Sequence, residues 1–186
     1  MNHPLQIVRD HYLDCFRESI ADARSRFTEF TTELLLELPT LKYPEYCYRL
    51  YRVDIIGKRV EESGVVEVNV TEREVQWRGL FPSTVTVDTP LVWNGVEFRV
   101  ANSKLPVNEL AEWTTNWLDV SDDRYSKTAE FQHVIHSNTP PKPIDSGYHI
   151  SVDFGSAPVV AFDELLQIIV RNATHVSVGS FSYVGA

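Results

Sequence analysis

The residues best equipped for chemistry lie near the C-terminus, in the stretch "HISVDFGSAP". His149, Ser151 and Asp153 alternate there with Ile150, Val152 and Phe154, so a strand would carry the three polar side chains on one face. Their types are those of an acyl-transfer triad, but their spacing is wrong for one. Residues two apart on a strand sit about 6.6 Å apart with parallel side chains, whereas a triad needs successive hydrogen bonds of about 3 Å. Any site here needs partners from other elements.

Asp153-Phe154-Gly155 is also the tripeptide that holds magnesium in protein kinases. The glycine-rich loop, the His-Arg-Asp and the Ala-Pro-Glu of that chemistry are absent. A glycine-serine turn before a helix offers free N–H groups to an anion, but Asp153 would repel one and no Lys or Arg lies in the turn. The simpler expectation is that Gly155 permits a sharp exit from the strand, Ser156 caps the helix and Pro158 occupies its first turn. Asp153 and Ser156 remain the ligand-binding candidates, because a strand's carboxyl end beside a helix N-terminus is where sites are often built.

His133 and His136 form a His-x-x-His pair. On a strand, odd spacing sends them to opposite faces, and zinc would need a third ligand such as His149. No metal and no cofactor are expected. The catalytic candidates are therefore His149, Asp153 and His136. A different chemistry is suggested by "YPEYCYRLY": Tyr46, Tyr48, Arg49 and Arg52 are of the types most enriched at protein-interface hot spots.

These residues must be positioned by elements that the patterning predicts. Leu5, Val8, Tyr12, Phe16, Ile20, Ala23, Phe27, Phe30 and Leu34 recur at gaps of three and four, a helical signature that Pro39 stops. One rod of that length would be roughly 50 Å, longer than the domain is wide. A break is expected around residues 25–32, with a homodimer through an overhanging helix as the alternative. Residues 43–100 read as an antiparallel meander. Its strands are residues 46–56, "VVEVNV", "EVQWRGL" and "STVTVD", followed by a hairpin at Asn94-Gly95. Residues 106–118 predict a helix and residues 129–137 a strand. The proline-rich residues 138–147 predict a surface loop. The C-terminal part predicts a β-α-β unit: a strand to Phe154, a helix over 158–171, and a last strand with a bulge at Gly179-Ser180. In that last strand, Phe181 and Tyr183 follow the bulge on the opposite phase.

The expected fold class is α+β: an antiparallel, or mixed, sheet packed against a long or broken N-terminal helix and two further helices. The chain, residues 1–186, has the length of one domain, divided into a helical segment 1–38, a meander 43–100 and the remainder 101–186.

Composition narrows function more than any motif. The net charge is −9 and the basic residues never cluster, which disfavours nucleic acid as a ligand. No apolar run is long enough to span a bilayer. Cys15 and Cys47 have no metal-ligand spacing and fit free thiols in a reducing compartment. With no signal-like N-terminus, a cytoplasmic location is expected. No motif names an activity. The expectation is a non-catalytic cytosolic protein-binding or inhibitory module, immunity-like, whose acidic surface covers a basic protein partner. A small hydrolase-like enzyme with a His/Asp site and a structural subunit of a larger assembly are the alternatives.

Overall fold

The N-terminal periodicity folds as α1 (Pro4–Arg26) in a computed structural model that describes residues 3–38, 46–58, 63–70, 75, 77, 80–88, 90–101, 104–171 and 173–180. Leu5, Val8, Tyr12, Phe16, Ile20 and Ala23 are all buried, as the gaps of three and four require. The helix stops inside the predicted break, but no second helix follows. Residues 29–37 form strand β1 (Glu29–Glu37), which corrects the helical segment beyond Arg26. Phe27 is already extended, and Thr28 gives both its N–H and its hydroxyl to Lys58 O, at 3.1 and 2.9 Å. Thr31 and Thr32 then favour the ladder over a helix. With its 23 residues α1 is about 35 Å long and no longer overhangs, so that argument for a homodimer is gone.

β1 opens an antiparallel sheet, sheet A, ordered β1, β2 (Leu50–Lys58), β3 (Ser63–Val66). Residues 46–49 were expected to start the second strand, but they form a 3-10 turn, Tyr46–Arg49. β3 ends at Val66, earlier than the valine alternation predicts, because Val68 N–H leaves the ladder for the carboxylate of Asp54, 2.6 Å away. The strand expected at "EVQWRGL" falls largely outside the described residues.

Sheet B is mixed. It contains β4 (Val85–Val87), β5 (Val96–Ala101), β6 (Ser137–Asn138), β7 (Lys142–Ile144), β8 (Gly147–Asp153) and β9 (His175–Ser180). Their order is β4-β9-β5-β8-β6, and β7 also pairs with β8. The meander is therefore corrected: β4 pairs in parallel with the chain's last described strand, and β5 lies between β8 and β9. The Asn94-Gly95 hairpin is likewise replaced by a 3-10 turn, Trp93–Gly95. Trp93 is fully buried against Phe154, ring centroids 4.8 Å apart, and Val92 N–H bonds Ser180 Oγ at 2.6 Å, so the arm before the turn belongs to the core. The register of β5 with β9 runs unbroken from Val96 opposite Ser180 to Ala101 opposite His175, without the predicted bulge. Phe181 and Tyr183 lie outside the described residues.

α2 (Val107–Leu118) and α3 (Val159–Val170) form where the sequence places them. β8 and β9 are each antiparallel to β5 and so run the same way with β5 between them. The C-terminal β-α-β unit is thus a split one. Its inner face stacks Phe98 between Ile150 and Val178, and Phe162 of α3 closes over it, with Phe98 at 5.4 Å and Phe154 at 5.6 Å. The architecture is α+β, with three helices and two sheets among the described residues.

One correction positions the site. Residues 131–136 are not a strand. Ile135 N–H bonds Trp117 O, His136 N–H bonds Asp153 O, Arg52 N–H bonds His136 O, and Ala157 N–H bonds Val134 O. The segment serves several neighbours at once and has no single partner to form a ladder with. His133 takes a positive φ of 59°, which breaks the extended run.

Candidate functional site

The only fully buried side chain of β1 is a carboxylate, Glu33. It stands across the ladder from Asp54 of β2, in the gap between the Thr32–Ile55 and Leu34–Val53 pairs. Like charges directly opposite one another destabilise a sheet. His136 resolves the conflict. Its Nε2 lies 2.8 Å from Glu33 Oε1 and its Nδ1 2.8 Å from Asp54 Oδ1. The second contact is an ion pair set too obliquely for a hydrogen bond. A third carboxylate, Asp153 at the end of β8, places Oδ2 3.9 Å from the same Nδ1. With a carboxylate at each nitrogen, the surroundings favour the imidazolium form of the ring.

Each carboxylate has further donors. Asp54 accepts from Tyr12 OH at 3.1 Å and from Val68 N–H. Glu33 accepts from Gln132 N–H, and Asp153 Oδ1 from Gly155 N–H at 2.9 Å. This last bond is an Asx turn, completed by Gly155 at φ 46°. Gly155 is required for a second reason: a Cβ there would overlap the His136 ring. Tyr12 and Phe16 of α1 seal the ring, with centroids at 6.5 and 6.0 Å. Arg9 ties the same helix to the turn through Ala157 O and Ser156 O, at 2.7 and 3.1 Å.

Burial by itself drives the imidazole of His136 down, but Asp153, Asp54 and Glu33 outweigh it and hold it well above its ordinary value. Burial likewise pushes Glu33 and Asp54 up, and the charge of His136 together with their hydrogen-bond donors more than reverses this, leaving both below the usual carboxylate range. Asp153 goes the other way. Burial, only partly opposed by His136, pushes it up to about 7. Its side chain keeps 27% exposure, and that hydration offsets part of the rise.

Glu33 has φ 53°, which a non-glycine residue adopts at a cost of roughly 1–2 kcal/mol. Its carbonyl is held by Arg52 Nη1 at 2.8 Å. The rest of that buried guanidinium grips the end of α2, bonding Leu118 O at 2.9 Å and Asp119 O at 2.8 Å, with Asp122 Oδ1 2.9 Å away.

The structure thus brings together two of the three catalytic candidates, His136 and Asp153. His149 stays apart, its Nε2 3.4 Å from Glu97 Oε1 and 3.4 Å from Ser151 Oγ. Ser156 does not cap α3, which begins three residues later at Val159, behind Pro158. It is fully buried, and its hydroxyl serves Glu33 and accepts from Val134 N–H at 3.3 Å. Tyr48 and Arg52 are core residues, so neither offers itself to a partner, and Arg49 pairs with Glu37 at 3.4 Å. The Tyr46 side chain lies outside the described residues. Glu33, Asp54 and Tyr12 were missed. The available signal was a lone charge inside an apolar run, as in "ELLL" and "RVDII".

The imidazole itself is buried, while Asp153 keeps partial contact with water. His136 is 1% exposed, and of five surface clefts among the described residues none is lined by His136, Glu33, Asp54 or Asp153. Among the described residues no three His, Cys, Asp or Glu side chains are arranged to hold a metal ion, and no helix is long and apolar enough to cross a membrane.

Two of the clefts adjoin on the outside of α2. One, about 320 Å³, lies between α2 and α3 and is lined by Glu109, Glu112, Trp113, Asn116, Glu164 and Arg171 among others. The other, about 490 Å³, continues past Glu112 and Asn116 to Asp119, Asp123 and Arg124. Trp117 Nε1 donates to Glu164 at 2.8 Å, and Arg124 lies 5.1 Å over the Trp117 ring.

No protein-family model, curated protein or solved structure matches this chain.

Proposed function

We propose that this chain is a non-catalytic, immunity-like binding or inhibitory module. It receives a basic segment of a protein partner on the outer face of α2 and the adjoining side of α3. One observation carries the reading. Glu109, Glu112 and Asp123 are exposed along these adjoining clefts and form no salt bridge among the described residues, and the buried Trp113 lines the first cleft beside Glu109 and Glu112. Exposed carboxylates beside an aromatic side chain suit Lys and Arg side chains, whose stems cover apolar surface while their heads meet charge. Arg124 and Arg171 border the face, but Arg124 is already engaged with Asn116 Oδ1 at 3.1 Å.

The test is capture from the native host at low and high salt, with the wild type and with a Glu109→Lys, Glu112→Lys variant. The expected result is a stoichiometric basic partner, lost at high salt and lost by the variant. A partner indifferent to both changes, or no stoichiometric partner, overturns the reading.

A second reading rests on the 3.9 Å contact between His136 and a partly exposed Asp153, the makings of a hydrolase-like acid–base pair. Its weakness is access, because the imidazole is sealed. A hydrolase screen of the wild type against Asp153→Asn decides it: the reading requires an activity that the variant loses.

A further inference from the structure

One residue, His136, bridges the two sheets through both its backbone and its ring. His136 donates its N–H to Asp153 O of sheet B at 2.8 Å, and its carbonyl accepts from Arg52 N–H of sheet A at 2.7 Å. Its ring repeats that bridge with charge, pairing with Glu33 and Asp54 of sheet A and approaching Asp153 of sheet B. With every carboxylate ionised, three negative charges face one imidazolium.

Arg9 is a further cation near the cluster, and the charge of Glu33 reaches it, but its hydrogen bonds go elsewhere. From α1, Arg9 spends its guanidinium on the carbonyls of Ser156 and Ala157, and Tyr12 contributes a neutral hydroxyl to Asp54. From β6, the residue opposite Asp153 is the uncharged Ser137. Access to water is unequal. The side chain of Glu33 is 0% exposed and that of Asp54 12%, against 27% for Asp153. Asp153 is therefore where the cluster exchanges protons with solvent.

We propose that this cluster is a proton-operated latch between the two sheets: a proton on Asp153 keeps it closed, and loss of that proton to water loosens sheet A from sheet B. The direction follows from charge. A neutral Asp153 leaves two carboxylates for one imidazolium, whereas an ionised one adds a repulsion that the imidazolium must share. The rise of Asp153 to about 7 places this event near neutrality. The latch stands whether or not α2 receives a partner.

Amide hydrogen exchange of the full chain tests it, with rates corrected for the intrinsic effect of pH. Arg52 and His136 report directly, because their N–H groups form the backbone bridge between the sheets. Phe98 and Val100, in the centre of sheet B, are the reference. Between roughly pH 5.5 and 7.5, protection at Arg52 and His136 should fall about tenfold relative to the reference. The isosteric Asp153→Asn should abolish that fall. If the variant does not fold, the wild type still decides: the Asp153 carboxyl carbon must titrate together with the loss of protection. Unchanged protection, a fall shared equally by Phe98 and Val100, the same fall in the variant, or a carboxyl that titrates below about pH 5 overturns the latch.

Discussion

His136 is surrounded by charge where a surface histidine would be surrounded by water, and single substitutions around it should be costly. Replacing it with Phe keeps a ring between Tyr12 and Phe16 but leaves buried carboxylates unpaired. Breaking a buried ion pair from one side typically costs about 3–5 kcal/mol. Urea denaturation should show a loss of that size for His136→Phe, and a loss below about 1 kcal/mol would mean that the ion pairs contribute little. Gly155→Ala acts on the same ring from behind. The positive φ alone costs roughly 1–2 kcal/mol, and the new methyl must also displace the imidazole. We expect at least about 2 kcal/mol of destabilisation, with the His136 ring resonances shifted in the NMR spectrum.

Arg52 shows what an element needs from a distant residue. It lies on β2, yet it satisfies the last carbonyls of α2 and the strained carbonyl of Glu33 on β1. A helix end normally finds these donors in its own cap or in water. Here the C-cap, Asp119, is left-handed at φ 52° and buried, so the cap depends on the guanidinium. Arg52→Met should cost about 3–5 kcal/mol in chemical denaturation and should fray α2 first, seen as faster amide exchange at residues 116–120 than in α3. An equal response in both helices would show that Arg52 supports the core in general and not this cap.

Across the whole molecule, the buried groups set how stability varies with pH. Asp153 has a folded value of about 7 against an ordinary 3.8, so the folded chain holds the extra proton. Its contribution is complete below the ordinary value and is lost as pH rises through about 7. His136 is also raised, so its contribution is complete below its ordinary 6.5 and is lost at still higher pH. Glu33 and Asp54 are lowered, so theirs is present above the ordinary values of 4.5 and 3.8 and is lost as pH falls through the folded ones. Asp163 of α3, raised by burial, adds to the first trend. Stability should therefore peak in mild acid, at about pH 5, and decline toward pH 8. Thermal melts across that range check it. Asp153→Asn should flatten the part between about pH 5 and 6.5, where His136 does not yet contribute.

The α1 stripe, α2, α3 and the β5 and β8 alternations were legible in the sequence, because periodic burial leaves a periodic trace. So was the α+β class. The site was legible only in part. Asp153 and His136 could be picked out by type, but Glu33 hides in "TTELLLEL", where the same letters suit a helix and the one buried position of the strand is a charge. Pairing was not legible either. Local pattern fixes which residues prefer to be buried, but it does not say which strand lies beside which. The β9-β5-β8 order, the parallel β4 and the meeting of four ionisable groups across both sheets depend on contacts between residues far apart in the chain. A charge can enter a core only if its partners arrive with it, and only the tertiary structure decides that they do.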